Sequence, residues 1–548
     1  VEYLENGGHS ALHKADSSSD LEVLKDNYFQ NSTTSDSSLF SFLDVDGEDE
    51  IVVPSNSESL RYYYDDNSSR APISGILSLP DEQTAIHLVE KVMNFIGQEY
   101  YLFDKPTFLK EVRSNYTIHL KTDDRTWICY LLITLAIGEQ CSNDTLRSDT
   151  PGISYYDTCM KLFKYNLEEP SLQLIQTHLL IAFYQQGLNR SNTAFATYGV
   201  ATRLSLILGL HRKVKNLPDD EREKRRRVWW TCYIMDSIWA AKIGQPFHVD
   251  SNDINVELDV ISDLHDNFKV NILLHNSQLA LIIGDIMKKI YKPTAKKTIS
   301  EVLSCLQDLN DFQKKLPAKL RENVIIKEDR TTANLYLRLN QIVIITTRPL
   351  VLAMFIGQGK DLSNKPEVKH AIQKCASAAS ANINILKNLK KMGLFSDFGF
   401  WDARYLFSSL LILYMISGGG AHSDLIAIGR QLNREMASSG NFTAIENEKR
   451  FKELDFLFDR MRDRSDINEG LATGHNTAQI STKAKEVVVS PNSLLVDDIA
   501  KIFTNISALD SENNIDDIDD LFEPLPKDLL PDIWKDITTN LMSWDEGF

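Results

Sequence analysis

From residue 80 to about residue 465, apolar residues return every three or four positions in one segment after another, separated by short polar breaks. That period belongs to the α-helix, whose side chains at i, i+3, i+4 and i+7 share a face. "LPDEQTAIHLVEKVMNFIG" opens the series: Pro80-Asp81 suits a helix start, and Ala85, Leu88, Val89 and Val92 fall at helical spacing. "RTWICYLLITLAIGEQ", "SLQLIQTHLLIAFYQQG" and "FWDARYLFSSLLILYMISGGG" are apolar nearly all round, the pattern of helices buried on every side of a large bundle. The Val- and Ile-rich "QIVIITTRP" has strand composition, but its long periodic context favours a helix. No run of alternating strands and helices interrupts the series, so the fold class is all-α.

Composition divides the rest. Residues 1–75, with "SSSD", "NSTTSDSS" and "DNSSR", read as a Ser/Asp-rich linker arm. Residues 76–465 form the helical domain, 466–493 a weakly patterned linker, and 494–548 an acidic-hydrophobic segment. That last segment has 14 acidic residues against three lysines, a net of −11 in a chain whose total is −17. Within it Leu530, Ile533, Trp534, Ile537 and Leu541 make one helical stripe backed by Asp532, Lys535 and Asp536, with Leu521, Phe522 and Trp544 as further apolar anchors. Such segments stay soluble by charge and lay an apolar helix face in a partner's groove. The alternative is a last helix packed on the protein's own core.

The same inventory excludes several classes. There is no G-x-S-x-G, H-E-x-x-H, Walker or G-x-G-x-x-G motif, so the chain does not read as an enzyme. The six cysteines stand singly in apolar contexts without C-x-x-C, and read as buried thiols in a reducing compartment. "DVDGEDE" (Asp44–Glu50) misplaces the glycine and lacks the twelfth-position glutamate of a calcium loop; it reads as a solvated turn. "FSSLLILYMI", the richest apolar stretch, is too short to span a bilayer, and the start lacks a secretory signal; a soluble intracellular protein is expected. An acidic chain repels the phosphate backbone, so these residues are not expected to bind DNA specifically.

One segment is basic. "EKRRRVWWTCYIMDSIWAAKIGQPFHVDSNDINV", residues 223–256, sets Arg225, Arg226 and Arg227 beside Trp229 and Trp230. On a helix, Glu221 lies four residues before Arg225 and Glu223 four before Arg227, the favourable orientation for ion pairs. A structural role for the arginines is favoured over a phosphate-binding patch.

Together with "AFATYGVATRLSLILGLHRKV" upstream, this segment resembles the middle homology region of fungal binuclear-zinc-cluster (Zn2Cys6) transcription factors. The residues that carry the resemblance are Gly209, Leu210, His211 and Arg212, then Arg225–Arg227 with Trp229 and Trp230, Asp236, Gly244 with Pro246, and Asp253 with Ile254. Weaker similarity extends over roughly residues 60–450. Gly209, after the apolar run, suits the left-handed residue that ends a helix.

The resemblance implies a large helical regulatory domain of a nuclear activator of RNA polymerase II genes. It implies coactivators, Mediator-type among them, recruited through the tail, and a homodimer as the full-length form. DNA binding and zinc would belong to a domain ahead of Val1, leaving no cofactor in these residues. It also implies a small-molecule effector, a nutrient such as an amino acid or a xenobiotic, in a pocket among the helices; segments 127–140, 176–188, 229–243 and 401–416 are the candidate lining. The alternative is a non-catalytic helical scaffold.

Overall fold

The computed structural model describes residues 50–51, 79–117, 124–142, 150–163, 169–215, 217–258, 268–292, 299–321, 329–355, 365–417, 423–452 and 454–455. The linker 466–493 and the acidic segment with Leu521, Phe522, Leu530, Ile533, Trp534, Ile537, Leu541 and Trp544 lie outside the described residues.

Helices dominate what is described. The first seven are α1 (Glu82–Phe95), α2 (Lys105–Thr117), α3 (Arg125–Gln140), α4 (Ile153–Leu162), α5 (Leu172–Gly187), α6 (Ser191–Ile207) and α7 (Asp219–Ile243). They are followed by α8 (Val270–Ile286), α9 (Ile299–Lys315), the single turn α10 (Ala318–Arg321), α11 (Arg330–Phe355), α12 (Pro366–Lys391), α13 (Phe400–Ser417) and α14 (Ser423–Ser438), with a final helical segment at 442–452. Asp81, Asp124 and Ser171 start α1, α3 and α5 by accepting the N–H of Thr84, Trp127 and Leu174 at 3.0, 3.0 and 3.1 Å, each satisfying a donor that has no intrahelical partner. The expected Ala85, Leu88, Val89 and Val92 are the buried face of α1. That face approaches α3 closely: a Cβ on Gly138 would stand 2.7 Å from the Leu88 carbonyl oxygen, so only glycine permits the contact.

The packing forms two cores. The first gathers the apolar faces of α1–α7, centred on Trp229, Trp239, Tyr184 and Tyr198; the second gathers α8, α9 and α11–α14. α8 serves both, giving Leu273 and Ala280 to the first and Ile272, Leu279, Ile283 and Ile286 to the second. This double duty explains why Val270–Tyr291 is long and apolar enough to cross a membrane, a property that attention to "FSSLLILYMI" overlooked; 61% of its most apolar window is buried inside the protein.

"QIVIITTRP" is helical, as its context predicts, and lies in α11 with Pro349 inside the helix. Proline has no N–H to offer the carbonyl four residues earlier. That carbonyl, of Ile345, instead accepts the Tyr291 hydroxyl at 2.6 Å. Tyr291 ends the π-helical turn Met287–Tyr291 that follows α8, so α8 and α11 are joined where α11 would otherwise lose a bond.

One element was not expected. Glu50–Ile51, in the region that composition reads as a linker arm, forms β1 and pairs in parallel with β2 (Lys213–Val214). Two residues are too short to show strand periodicity, and their partner lies far along the chain.

Candidate functional site

The motif residues converge. α6 ends in a paired bond set: Gly209, at φ 65°, donates its N–H to Leu206 O at 2.9 Å, and Leu210 donates to Ser205 O at 3.0 Å. The carbonyl of His211 then accepts the N–H groups of Asn255 and Val256 at 3.1 and 3.0 Å, and the Asn255 side chain accepts the N–H of Lys213 at 3.0 Å. Three parts, 209–212, α7 and the loop carrying Asp253 and Ile254, thus form one cluster. Trp229 places its ring 5.6 Å from that of His211, and Trp230 donates to Glu257 O at 3.4 Å. Burial, and next Arg212, pull the His211 imidazole down to about 4, so it packs there uncharged.

The arginines face inward. Arg227 is 1% exposed; its Nε donates to Glu223 Oε1 at 2.8 Å, and its guanidinium lies 5.2 Å from the centre of the Tyr101 ring and 5.0 Å from that of Phe268. Arg226 bonds the other oxygen of the same buried Glu223. The pairing of Glu223 with Arg227 is as expected, but that of Glu221 with Arg225 is not. Arg225 donates instead to the Leu208 carbonyl at 2.6 Å, capping the end of α6, while Glu221 acts only as a nearby charge. Spacing along one helix predicts the first pair because both partners share it; the second is overridden by the helix packed beside it.

Asp236, buried in α7, accepts from His248 Nδ1 at 2.9 Å. Gly244, at φ 68°, terminates α7, and Gln245 closes the turn with an N–H bond to Ala240 O at 2.9 Å before the exposed Pro246. An open cleft of about 350 Å³ beside the cluster presents Arg212, Lys213 and Arg222, but Asp219, Glu223 and Glu257 stand among them. Interleaved acids weaken its attraction for a phosphate backbone.

Where the two cores meet, two cavities lie side by side and share Arg338, Trp401 and Tyr405. The smaller, about 40 Å³, is lined by paired charges: Arg330 donates to Asp402 at 2.7 Å, and Glu99 is bonded by Asn334 and faces Arg338 at 3.5 Å. Burial raises the Glu99 carboxyl, and Arg338 pulls the other way. The larger, about 100 Å³, is bounded by α7, α8, α11, α13 and the helical segment at 442–452. Its lining includes Lys242, Arg338, Arg348, Arg404 and Arg450; among the described residues no aspartate or glutamate lines it.

Of the candidate lining segments, 229–243 and 401–416 both reach the larger cavity, 401–416 also reaches the smaller one, and 127–140 and 176–188 supply Gln140, Phe183 and Gln186 to the smaller. The contribution of α11 was missed. Arg338 and Arg348 sit ten residues apart in an ordinary helical pattern, with no local signal that they share a cavity.

Five of the six thiols are buried and Cys141 is partly so. Among the described residues no group of three or more His, Cys, Asp or Glu side chains is placed to hold a metal ion, so zinc has no fitting site there.

Residues 93–463, more than half of the chain, match the fungal specific transcription factor domain. An uncharacterized transcriptional regulatory protein of Schizosaccharomyces pombe is 23% identical, over 68% of this chain and 50% of its own length. The thiamine repressible genes regulatory protein of the same yeast is 23% identical over 73% and 55%. A Zn(2)-C6 fungal-type transcription factor of Fusarium oxysporum is 22% identical over 34% and 21%. The chain spans about half the length of the first two relatives and less of the third. It belongs to the fungal specific transcription factor domain family, whose members regulate transcription and are not enzymes.

Proposed function

We propose that this chain is the regulatory and activation portion of a nuclear zinc-cluster activator of RNA polymerase II genes, and that its helical domain responds to a small metabolite in the larger seam cavity. The cavity carries the reading. Its walls come from both cores, α7 from the first and α11 and α13 from the second, so an occupant bears on how the two halves pack. Such an occupant regulates only through different affinities for two arrangements of those halves. DNA contact, dimerisation and zinc are assigned to a separate domain of a longer protein, in keeping with a chain that spans about half the length of those two relatives. Output comes from residues 494–548, whose alternating acids and bulky apolar side chains suit a helix docked in a coactivator groove.

The test joins residues 494–548, and separately the whole chain, to a heterologous DNA-binding domain upstream of a reporter in yeast. Strong output from the tail is expected, lost with Trp534→Ala and Leu541→Ala together and lower when the helical domain is present. Silence from both expressed fusions would leave a helical scaffold as the better reading.

A further inference from the structure

We propose that the larger seam cavity is a binding site for a small carboxylate carried on a short apolar body. This rests on the reading of that cavity as the effector site and names the chemistry of its ligand.

The basic side chains come from four elements: Lys242 from α7, Arg338 and Arg348 from α11, Arg404 from α13 and Arg450 from the segment at 442–452. Bringing like charges together inside a protein is unfavourable unless an anion answers them. Part of the answer lies within the fold, since Arg450 is paired with Glu446 at 2.6 Å and Arg338 faces Glu99 at 3.5 Å. Both carboxylates stand outside the lining.

Two groups show that the answer is incomplete. Arg338 is 6% exposed, and its Nε and Nη1 are buried without a hydrogen-bond partner, while Nη2 is held by Glu99 and Tyr100. A buried guanidinium with unpartnered nitrogens is a costly feature, and the negative charge of a carboxylate in the adjoining cavity offsets part of that cost. Lys242 Nζ bonds the neutral Ser191 hydroxyl at 2.9 Å and lies 4.2 Å from the centre of the Trp239 ring. Burial first, then Arg404, set against Glu446 and joined by Arg450, pull its ammonium down to about 6. A carboxylate beside it would restore the charged form.

The rest of the lining sets the body of the ligand. Ile238, Ile342 and Leu411 are aliphatic and Trp401 presents an aromatic wall, so a polyanion such as a nucleotide would leave charge against apolar surface. The volume of about 100 Å³ is below the ~150 Å³ of an apolar cavity that accepts benzene. At that volume the ligand is smaller than benzene, a monocarboxylate with a body of about two carbons.

The experiment is calorimetric titration of the purified chain with three probes: propanoate, its neutral isostere propanamide, and inorganic phosphate. Saturable binding of the carboxylate is expected, with the amide and phosphate at least about tenfold weaker, since loss of a charge-assisted contact is worth that much. In Lys242→Met with Arg404→Gln, confirmed folded by its melting transition, carboxylate binding should fall by about tenfold or more. Equal binding of acid and amide would overturn the anion assignment while leaving the cavity an effector site. Carboxylate binding unchanged in the double variant would place the anion elsewhere and overturn the assignment. Absence of binding by every probe would overturn the assignment of a small carboxylate, while the reporter fusions decide separately whether the chain activates transcription.

Discussion

At the start of α7 three arginines occupy consecutive positions, and the fold answers them where they stand: Arg226 and Arg227 share the carboxylate of Glu223, and Arg225 caps α6 on Leu208 O. At the seam, basic side chains drawn from residues 242 to 450 line one cavity with no acid among the described lining residues, and Arg338 keeps two buried nitrogens without a hydrogen-bond partner. The cluster that is conspicuous in the sequence is the structurally satisfied one. The cluster that the sequence scatters is the one whose chemistry is incomplete. Contiguous charge recruits partners from its own helix and its neighbours and becomes part of the frame, whereas charge assembled from distant segments persists where something beyond the frame can use it.

The contrast is open to direct test. Glu223→Ala should be the most damaging change, because it strands two buried guanidinium groups at once; loss of one partner of a buried ion pair costs about 3–5 kcal/mol. Chemical denaturation reads this, and an unchanged midpoint would mean that the motif arginines do not brace the fold. Lys242→Met should act in the opposite direction. The folded lysine titrates near 6 and the unfolded one near 10.5, so between those values the unfolded chain binds the extra proton and stability rises with pH. Removing the amine should flatten that rise and lift Tm at pH 7 by ~2 °C or more. A fall in Tm at pH 7 would show that the ammonium is already answered inside the protein.

The smallest effect belongs to His248, whose imidazole the hydrogen bond to Asp236 raises above its ordinary value. Its contribution is therefore fully present below about pH 6.5 and is lost as pH rises through the raised folded value. His248→Gln should cost about 0.5 kcal/mol at pH 5.5, a partly screened pair, and almost nothing at pH 9. An equal loss at both values would assign the histidine a packing role.

The helices were legible because each is set by local periodicity and by caps within a few residues of its ends, as Asp81, Asp124 and Ser171 illustrate. Gly209 was legible for the same reason, since a left-handed turn residue suits the point where such a helix stops; that Gly244 ends α7 in the same way came from the structure. The partner of Arg225 was not, since Leu208 O reaches it across the α6–α7 contact. The pairing of Glu50–Ile51 with Lys213–Val214 was not, since its register is fixed by a partner more than a hundred residues away. The segments 229–243 and 401–416 were recognised as candidate walls, but not which of their side chains face the cavity, and α11 was not recognised at all.

The sequence by itself determined the all-α fold class, a strongly acidic composition over residues 494–548, the absence of recognised catalytic motifs, and an arginine–tryptophan motif suited to bracing a core. Each of these is written in spacings shorter than a helix or in bulk composition. Only the tertiary structure decided that α8 is shared between two cores, that Tyr291 completes α11 at Pro349, and that five basic side chains from four elements meet in one cavity. Helical periodicity fixes which side of a helix is buried; what that side is buried against depends on the packing of all the helices at once.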